Sequence, residues 1–209
     1  VITGEIQNKG LGMDVDIFNE RGKSIQSKKG ELVCKKPFPS MPLKFWNDKN
    51  NKKFEKAYFQ RFKNIWHHGD YAEVKKSGGY IIYGRSDATL NPGGVRLGTA
   101  EIYSEVEKFK QVKESMAVGQ SWDNDIRIIL FVILNKGYDL NTDLVKKIKK
   151  QIRINASPRH VPEKIISVTD IPRTKNGKIV ELAVKNTIEG NKIKNKEALA
   201  NPEILKEYV

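Results

Sequence analysis

The sequence predicts an α+β fold, β-rich over residues 1–86 and mixed from 87 to 209. Three observations predict it. The first part is filled by short runs that alternate polar and apolar residues between turn residues. In the second part, runs with apolar residues at helical spacing interrupt the strands. The longest apolar run, 128–134, has the length of a strand and falls far short of the roughly 18 residues of a membrane span.

In order, residues 4–7 read as a strand already in progress at the start of the chain. Residues 14–18 alternate polar and apolar, as a half-buried strand does. Asn19 to Lys23 is turn chemistry, and 30–34 begins another strand. Apolar residues at helix-like spacing over 54–63 predict a short helix before Trp66. A turn at Gly78-Gly79 leads into a strand over 80–83. Next come a helix over 99–109 with Thr99 as its cap and Ile102, Val106 and Phe109 on one face, then strands over 112–119 and 126–134. The helix over 141–154 opens Asn-Thr-Asp and repeats apolar residues at 144, 145, 148 and 152. A strand over 164–168 and a final helix over 181–187 follow. Beyond Gly190 the chain is lysine-rich and weakly patterned. The boundary between the halves is placed at Asp87, after a strand and before a glycine loop.

The chain carries 38 Lys and Arg against 25 Asp and Glu, a formal net charge of +13. An acidic partner fits this excess, and so does a solvated lysine-rich surface, which the scattered Lys-Lys pairs favour. Cys34 is the only cysteine, so no disulfide forms within the chain, and a reducing cytosol suits it. The sequence starts at Val1 with a strand under way, and it is expected to be a piece of a longer protein.

Several residues carry candidate chemistry. Asp70 ends Trp66-His67-His68-Gly69-Asp70, where Gly69 frees the backbone to turn. Its carboxylate either accepts from both hydroxyls of a ribose or bonds its own backbone in a turn. His67 and His68 invite a metal reading, but neighbours in a strand point to opposite faces, so no metal site is expected. Arg85 and Arg96 flank a run with Gly93-Gly94. Arginine suits bidentate contact with a phosphate or ribose, and a hairpin turn with surface arginines explains the run equally. Lys178 closes Pro172-Arg173-Thr174-Lys175-Asn176-Gly177-Lys178. It is either a turn lysine or an ammonium on a loop that reaches a developing negative charge. Lys146, Lys147, Lys149 and Lys150, with Arg153, Arg159 and His160 after them, form a basic cluster that holds a phosphate or simply faces water.

Taken together, the segment 66–70, the loop 84–96 and the segment 172–178 resemble, in order and spacing, the C-terminal portion of the adenylate-forming acyl-CoA synthetases. The resemblance covers nearly the whole chain and weakens after about Gly190. Three segments are similar to the members that take acetoacetate rather than acetate: Lys36-Pro37-Phe38-Pro39-Ser40-Met41-Pro42, Phe45-Trp46-Asn47-Asp48 and Ile65-Trp66-His67-His68-Gly69-Asp70-Tyr71.

The resemblance implies that 1–86 is the β-rich end of a large N-terminal domain and 87–209 a complete mobile lid. It implies that Asp70 holds the ribose hydroxyls of ATP, Arg85 adds a second ribose contact and Arg96 approaches a nucleotide phosphate. Asp87 would be the hinge of the lid. Gly94 would let the pantetheine arm of CoA pass, Lys149 would mark the patch that meets CoA phosphates, and Lys178 would be the lysine required for adenylation. Asn91 stands where many relatives carry lysine, which puts none of these roles in doubt. The family's phosphate loop and acyl pocket lie upstream in relatives and are absent.

The implied activity is that of an acid–thiol ligase. Acetoacetate and ATP give an acyl-adenylate and pyrophosphate, and CoA then takes the acyl group. Magnesium is expected through the absent N-terminal part, and the fragment alone is expected to be inactive. The implied partners are these small molecules and the chain's own N-terminal domain, with no nucleic acid or membrane, in the cytoplasm. The alternatives are another short-chain acyl-CoA synthetase, a basic nucleic-acid-binding module and a non-catalytic regulatory remnant.

Overall fold

The chain folds as two units, Val1–Asp87 and Ala88–Val209, in a computed structural model that describes residues 1–193 and 196–209. Strands and helices mix along the chain, so the fold is α+β as the sequence predicts.

The first unit is built on a four-stranded antiparallel sheet in the order β1-β2-β3-β4: β1 (Val15–Phe18), β2 (Gly30–Cys34), β3 (Trp66–Val74) and β4 (Tyr80–Arg85). The first helix, α1 (Lys52–Tyr58), starts earlier and ends sooner than the apolar spacing predicts. The Asp48 carboxylate sets its start by accepting from the backbone N–H groups of Lys53 (2.9 Å) and Phe54 (2.8 Å). Phe62, expected on the helix, packs instead with Phe18 and Val33. Cys34, Phe54 and Trp66 form a second cluster ringed by Met13, Phe38, Met41, Phe45, Tyr58 and Phe59. Tyr58 stacks on Trp66 with centroids 3.6 Å apart. The strand expected over 4–7 is a single bridge between Ile6 and Tyr80, and nothing continues it.

The second unit is a three-layer packing. Its sheet runs β5 (Val112–Trp122), β6 (Asp125–Leu134), β7 (Lys164–Ser167), with β5 and β6 antiparallel and β6 and β7 parallel. Asp123 and Asn124, both at positive φ, close the β5–β6 hairpin in two residues and extend both strands beyond their expected ends.

Side chains alternate along β6. Ile128, Leu130 and Val132 pack toward α2 (Thr99–Val106) and α3 (Thr142–Asn155), while Ile129, Phe131 and Ile133 pack toward α4 (Glu181–Ile188) and the tail. Both faces are buried, which is why the run reads as unbroken hydrophobicity. Each such side chain stabilises the unit by about 1.5–3 kcal/mol.

Helix α3 begins as its sequence predicts, with Asn141 Oδ1 accepting from Leu144 N at 2.9 Å. Leu144, Ile148 and Ile152 are its buried stripe, whereas Val145 is only half-buried. Helix α2 begins differently. Gly98 is its cap and donates to Glu101 Oε2 at 3.2 Å, and Thr99 is a buried first-turn residue. The tail, read as weakly patterned, packs into the core. Leu199, Leu205 and Tyr208 are buried there, and the Tyr208 ring lies 4.7 Å from that of Phe131.

Candidate functional site

The structure brings Asp70 and Arg85 together. They are register partners on β3 and β4. Asp70 lies inside β3 and not in a turn, so its carboxylate meets side chains and not its own backbone. Arg85 Nη1 donates to Asp70 Oδ1 (3.3 Å) and to the His68 carbonyl (3.4 Å). His68 Nδ1 lies 2.6 Å from Asp70 Oδ2. With Asp70 ionised, that nitrogen carries the proton and donates. Burial alone would raise the Asp70 carboxyl. The His68 hydrogen bond and charge, followed by Arg85, overcome it and hold the group below its ordinary range. A carboxylate has about four lone-pair sites, so two remain for hydroxyl donors.

Gly69 is what permits this closeness. Its φ is +86°, and a Cβ there would lie 2.7 Å from Arg85 Nη2. On β4, Tyr83 is an extra residue, because the pairing steps from Tyr71–Gly84 to Ala72–Ile82. The bulged Tyr83 sits two residues before Arg85.

Beside the pair lies a cleft of about 400 Å³ lined by Tyr58, Arg61, His67, His68, Arg85 and Asp87, among others. Its back wall is organised by Glu31, which is 1% exposed. Glu31 accepts from His67 Nε2 at 2.8 Å and pairs with Arg61 Nη2 at 3.1 Å. It also takes a short hydrogen bond from the Ser86 hydroxyl. Asp87 follows Ser86 and lies 3.6 Å from Arg85 Nε. The adjacent histidines do point apart, one to Glu31 and one to Asp70. Among the described residues no group of three or more His, Cys, Asp or Glu comes together that could hold a metal ion.

The other candidates lie in the second unit. Leu90 and Leu97 exchange two backbone hydrogen bonds of 2.9 and 2.8 Å, closing the loop that carries Gly93 and Gly94. Gly93 N donates to both oxygens of Asp125 (2.8 and 3.0 Å). Gly94 has φ +74° and open space where a Cβ would stand. Its backbone is exposed, and another residue there would be strained. Arg96 Nε donates to Thr89 Oγ1 at 3.0 Å.

Lys178 is exposed at a tight hairpin. Gly177 N donates to the Thr174 carbonyl (2.8 Å), and Thr174 N to the Lys178 carbonyl (2.8 Å). Among the described residues its ammonium makes no ion pair or hydrogen bond.

The basic cluster is dispersed. Lys147 pairs with Asp143 at 2.7 Å on its own helix, and Lys149 Nζ donates to the Glu163 carbonyl at 2.8 Å. His160, expected with these cations, is 4% exposed and shares a hydrogen bond with Ser157.

Sequence reasoning weighed His68 only as a metal ligand, missing its bond to Asp70, and missed Glu31 and Arg61 altogether. For His68 a signal existed, since residues two apart in a strand share a face and Asp70 is two residues on. For Glu31 and Arg61 no local signal exists, because their contacts cross the sheet.

Residues 101–178 match the family of the AMP-binding enzyme C-terminal domain. Along its length the chain is similar to acetoacetyl-CoA synthetases. It is 59% identical to acetoacetyl-coenzyme A synthetase of Rhizobium meliloti (strain 1021) over 97% of the chain and 31% of that relative. With acetoacetyl-CoA synthetase of Macaca fascicularis the identity is 49%, over 100% of the chain and 31% of the relative. The solved structure of acetoacetyl-CoA synthetase from Streptomyces lividans superposes with a TM-score of 0.91 at 38% identity, covering 98% of this chain and 31% of that one. The chain therefore spans about a third of the length of the curated relatives it matches.

Proposed function

We propose that the chain is the C-terminal portion of an enzyme that activates acetoacetate with ATP and passes the acyl group to CoA. The observation that carries this reading is 59% identity over 97% of the chain to a relative named for acetoacetyl-CoA synthesis. The Asp70–Arg85 pair beside its cleft supports the nucleotide half of it. The remaining lone pairs of Asp70 take the two ribose hydroxyls, with Arg85 alongside as a further contact. Arg96 serves the nucleotide phosphate. Gly94 presents bare backbone to the pantetheine arm, and Lys149 belongs to the surface that meets CoA phosphates.

Asp87 acts as the hinge between units 1–86 and 87–209. In adenylation the acetoacetate carboxylate attacks the α-phosphorus, and pyrophosphate leaves with the P–O bond electrons. Negative charge on the phosphoryl oxygens rises, and the Lys178 ammonium offsets it. Turning at Asp87 then withdraws Lys178 and presents Gly94, so that the CoA sulfur attacks the acyl carbon and AMP leaves. Magnesium accompanies the ATP phosphates and is held by the upstream domain, as is the acyl pocket, and the enzyme works in the cytoplasm.

The test is the full-length parent, purified and supplied with ATP, CoA and either acetoacetate or acetate. Acetoacetate-dependent release of AMP and pyrophosphate is expected, with acetate turned over far more slowly. Preference for acetate, or for another short acid, would replace the acyl assignment and keep the adenylate chemistry. Absence of pyrophosphate release with every acid would remove both.

A further inference from the structure

The Lys178 hairpin does not stand alone. It joins the segment before Lys175 to the segment after Lys178 through the Arg173–Ile179 bridge and two Thr174 backbone contacts. A two-stranded hairpin by itself is marginal in water, and a third segment is what makes such a unit hold one direction. The tail supplies it. Ala200 N donates to the Arg173 carbonyl (2.8 Å), Lys175 N donates to the Ala198 carbonyl (3.2 Å), and Thr174 and Leu199 pair as an antiparallel bridge.

Asn201 pins the end of this pairing. Its Oδ1 accepts from Arg173 N at 2.9 Å, while its Nδ2 donates to Asp170 Oδ2 at 2.7 Å and to the Ile171 carbonyl at 3.0 Å. One side chain thereby satisfies three groups on the segment that leads into the Lys178 loop. On the loop's other side, Arg173 Nη1 donates to the Gly177 carbonyl at 3.0 Å while its second nitrogen meets Glu114. The tail is itself held down by buried Leu199, Leu205 and Tyr208, and Tyr208 Oη donates to the Asp170 carbonyl at 2.7 Å. The tail residues of these contacts, 198–208, lie beyond residue 178, where the match to the AMP-binding C-terminal domain stops.

We propose that the segment 198–201 is a strap that sets the direction of the Lys178 hairpin, with Asn201 as the positioning residue. The proposal rests on the reading of Lys178 as the lysine of adenylation. A lysine side chain is long and flexible, so the protein controls its reach through the placement of its backbone. Without the Asn201 bonds the hairpin keeps its own turn but loses its fixed bearing on β5 and the tail. The second half-reaction does not use Lys178 and does not feel this loss.

The experiment compares three variants of the full-length parent: Asn201→Ala, Tyr208→Phe and Lys178→Ala. Tyr208→Phe removes one hydrogen bond of the tail without touching the 173–178 loop and serves as the stability control. Acetoacetate-dependent pyrophosphate release reads adenylation. Thioester formation from pre-formed acetoacetyl-adenylate and CoA reads the second step, and thermal unfolding reads stability. Asn201→Ala is expected to lower kcat for adenylation by about 10- to 100-fold, as misplacement of a reacting group does. Its KM for ATP and its thioester step should stay unchanged. Tyr208→Phe is expected to lower the melting temperature with no split between the steps.

Equal loss of both steps in Asn201→Ala, or no loss of adenylation, overturns the strap. If Lys178→Ala loses adenylation while Asn201→Ala does not, the strap alone fails. If Lys178→Ala keeps adenylation, the reading of Lys178 and the strap fail together.

Discussion

The two units hold their key charges in opposite ways. In the first, Asp70 and Arg85 face each other across adjacent strands, and His68 closes the other side of the carboxylate. Sheet register fixes them, and their charges are already spoken for. In the second, Lys178 rides an exposed turn whose base is bonded through its backbone and neighbouring side chains, while its own ammonium is left unengaged among the described residues. Groups that recognise a ligand of constant shape gain from a rigid frame, because little freedom is lost on binding. A group that must serve one step and leave for the next gains from an unpaired charge on a movable element.

If that contrast is right, the largest effect comes from the mobile cation. Lys178→Ala in the full-length parent should lower adenylation by about 10²–10³-fold, the scale of removing one transition-state donor. Thioester formation from supplied adenylate should persist, and loss of both would break the contrast. Asp87→Pro comes next. Proline locks φ, and a residue that absorbs a change in backbone angle cannot tolerate that. One half-reaction should fall by about 100-fold while the other survives, on the scale of a misplaced catalytic group. Equal loss in both steps with a lowered melting temperature would make Asp87 an ordinary turn residue.

Effects on the rigid side should be smaller and of another kind. Asp70→Asn should raise KM for ATP by about tenfold, the worth of one charge-assisted hydrogen bond, with a modest change in kcat. The same pair predicts a pH dependence. The Asp70 carboxyl is held below its ordinary value of 3.8 in the folded protein. Its contribution to stability is present in full above that value and is lost as pH falls through the lowered one. Acid unfolding of wild type should therefore steepen below about pH 4 relative to Asp70→Asn, for which that contribution is missing. Equal acid profiles would show that His68 and Arg85 do not couple to folding. The smallest effect on activity is expected for Glu31→Gln. It leaves Arg61 and His67 facing a neutral amide and should cost up to about 3 kcal/mol in urea unfolding of the first unit. Unfolding of the second unit should be unaltered.

Much of this was legible in the residues. The β6 run, the Asn141 cap and the Leu144–Ile148–Ile152 stripe follow from local pattern, and each stands in the structure where it was expected. What was not legible depended on distant partners. Thr99 looks like a cap until Gly98 and Glu101 are seen to do that work. Phe62 keeps helical spacing with Phe54, yet Phe18 and Val33 draw it to another cluster. The tail hides its apolar residues singly among lysines and in 3-10 turns, which show no period of 2 or 3.6. Around the candidate site, Asp70 and Arg85 stand out only through their motifs, and their contact comes from the register of β3 with β4. Glu31 could be found only once β2 was laid beside β3.

The solitary thiol of Cys34 closes the first unit's account in a different sense. It is 4% exposed beneath Phe54 and Trp66, with its sulfur 3.4 Å from the Lys36 carbonyl. A water-soluble thiol reagent can reach it only when β2 parts from its neighbours. In this chain the labelling rate is then a clock for opening of the first unit.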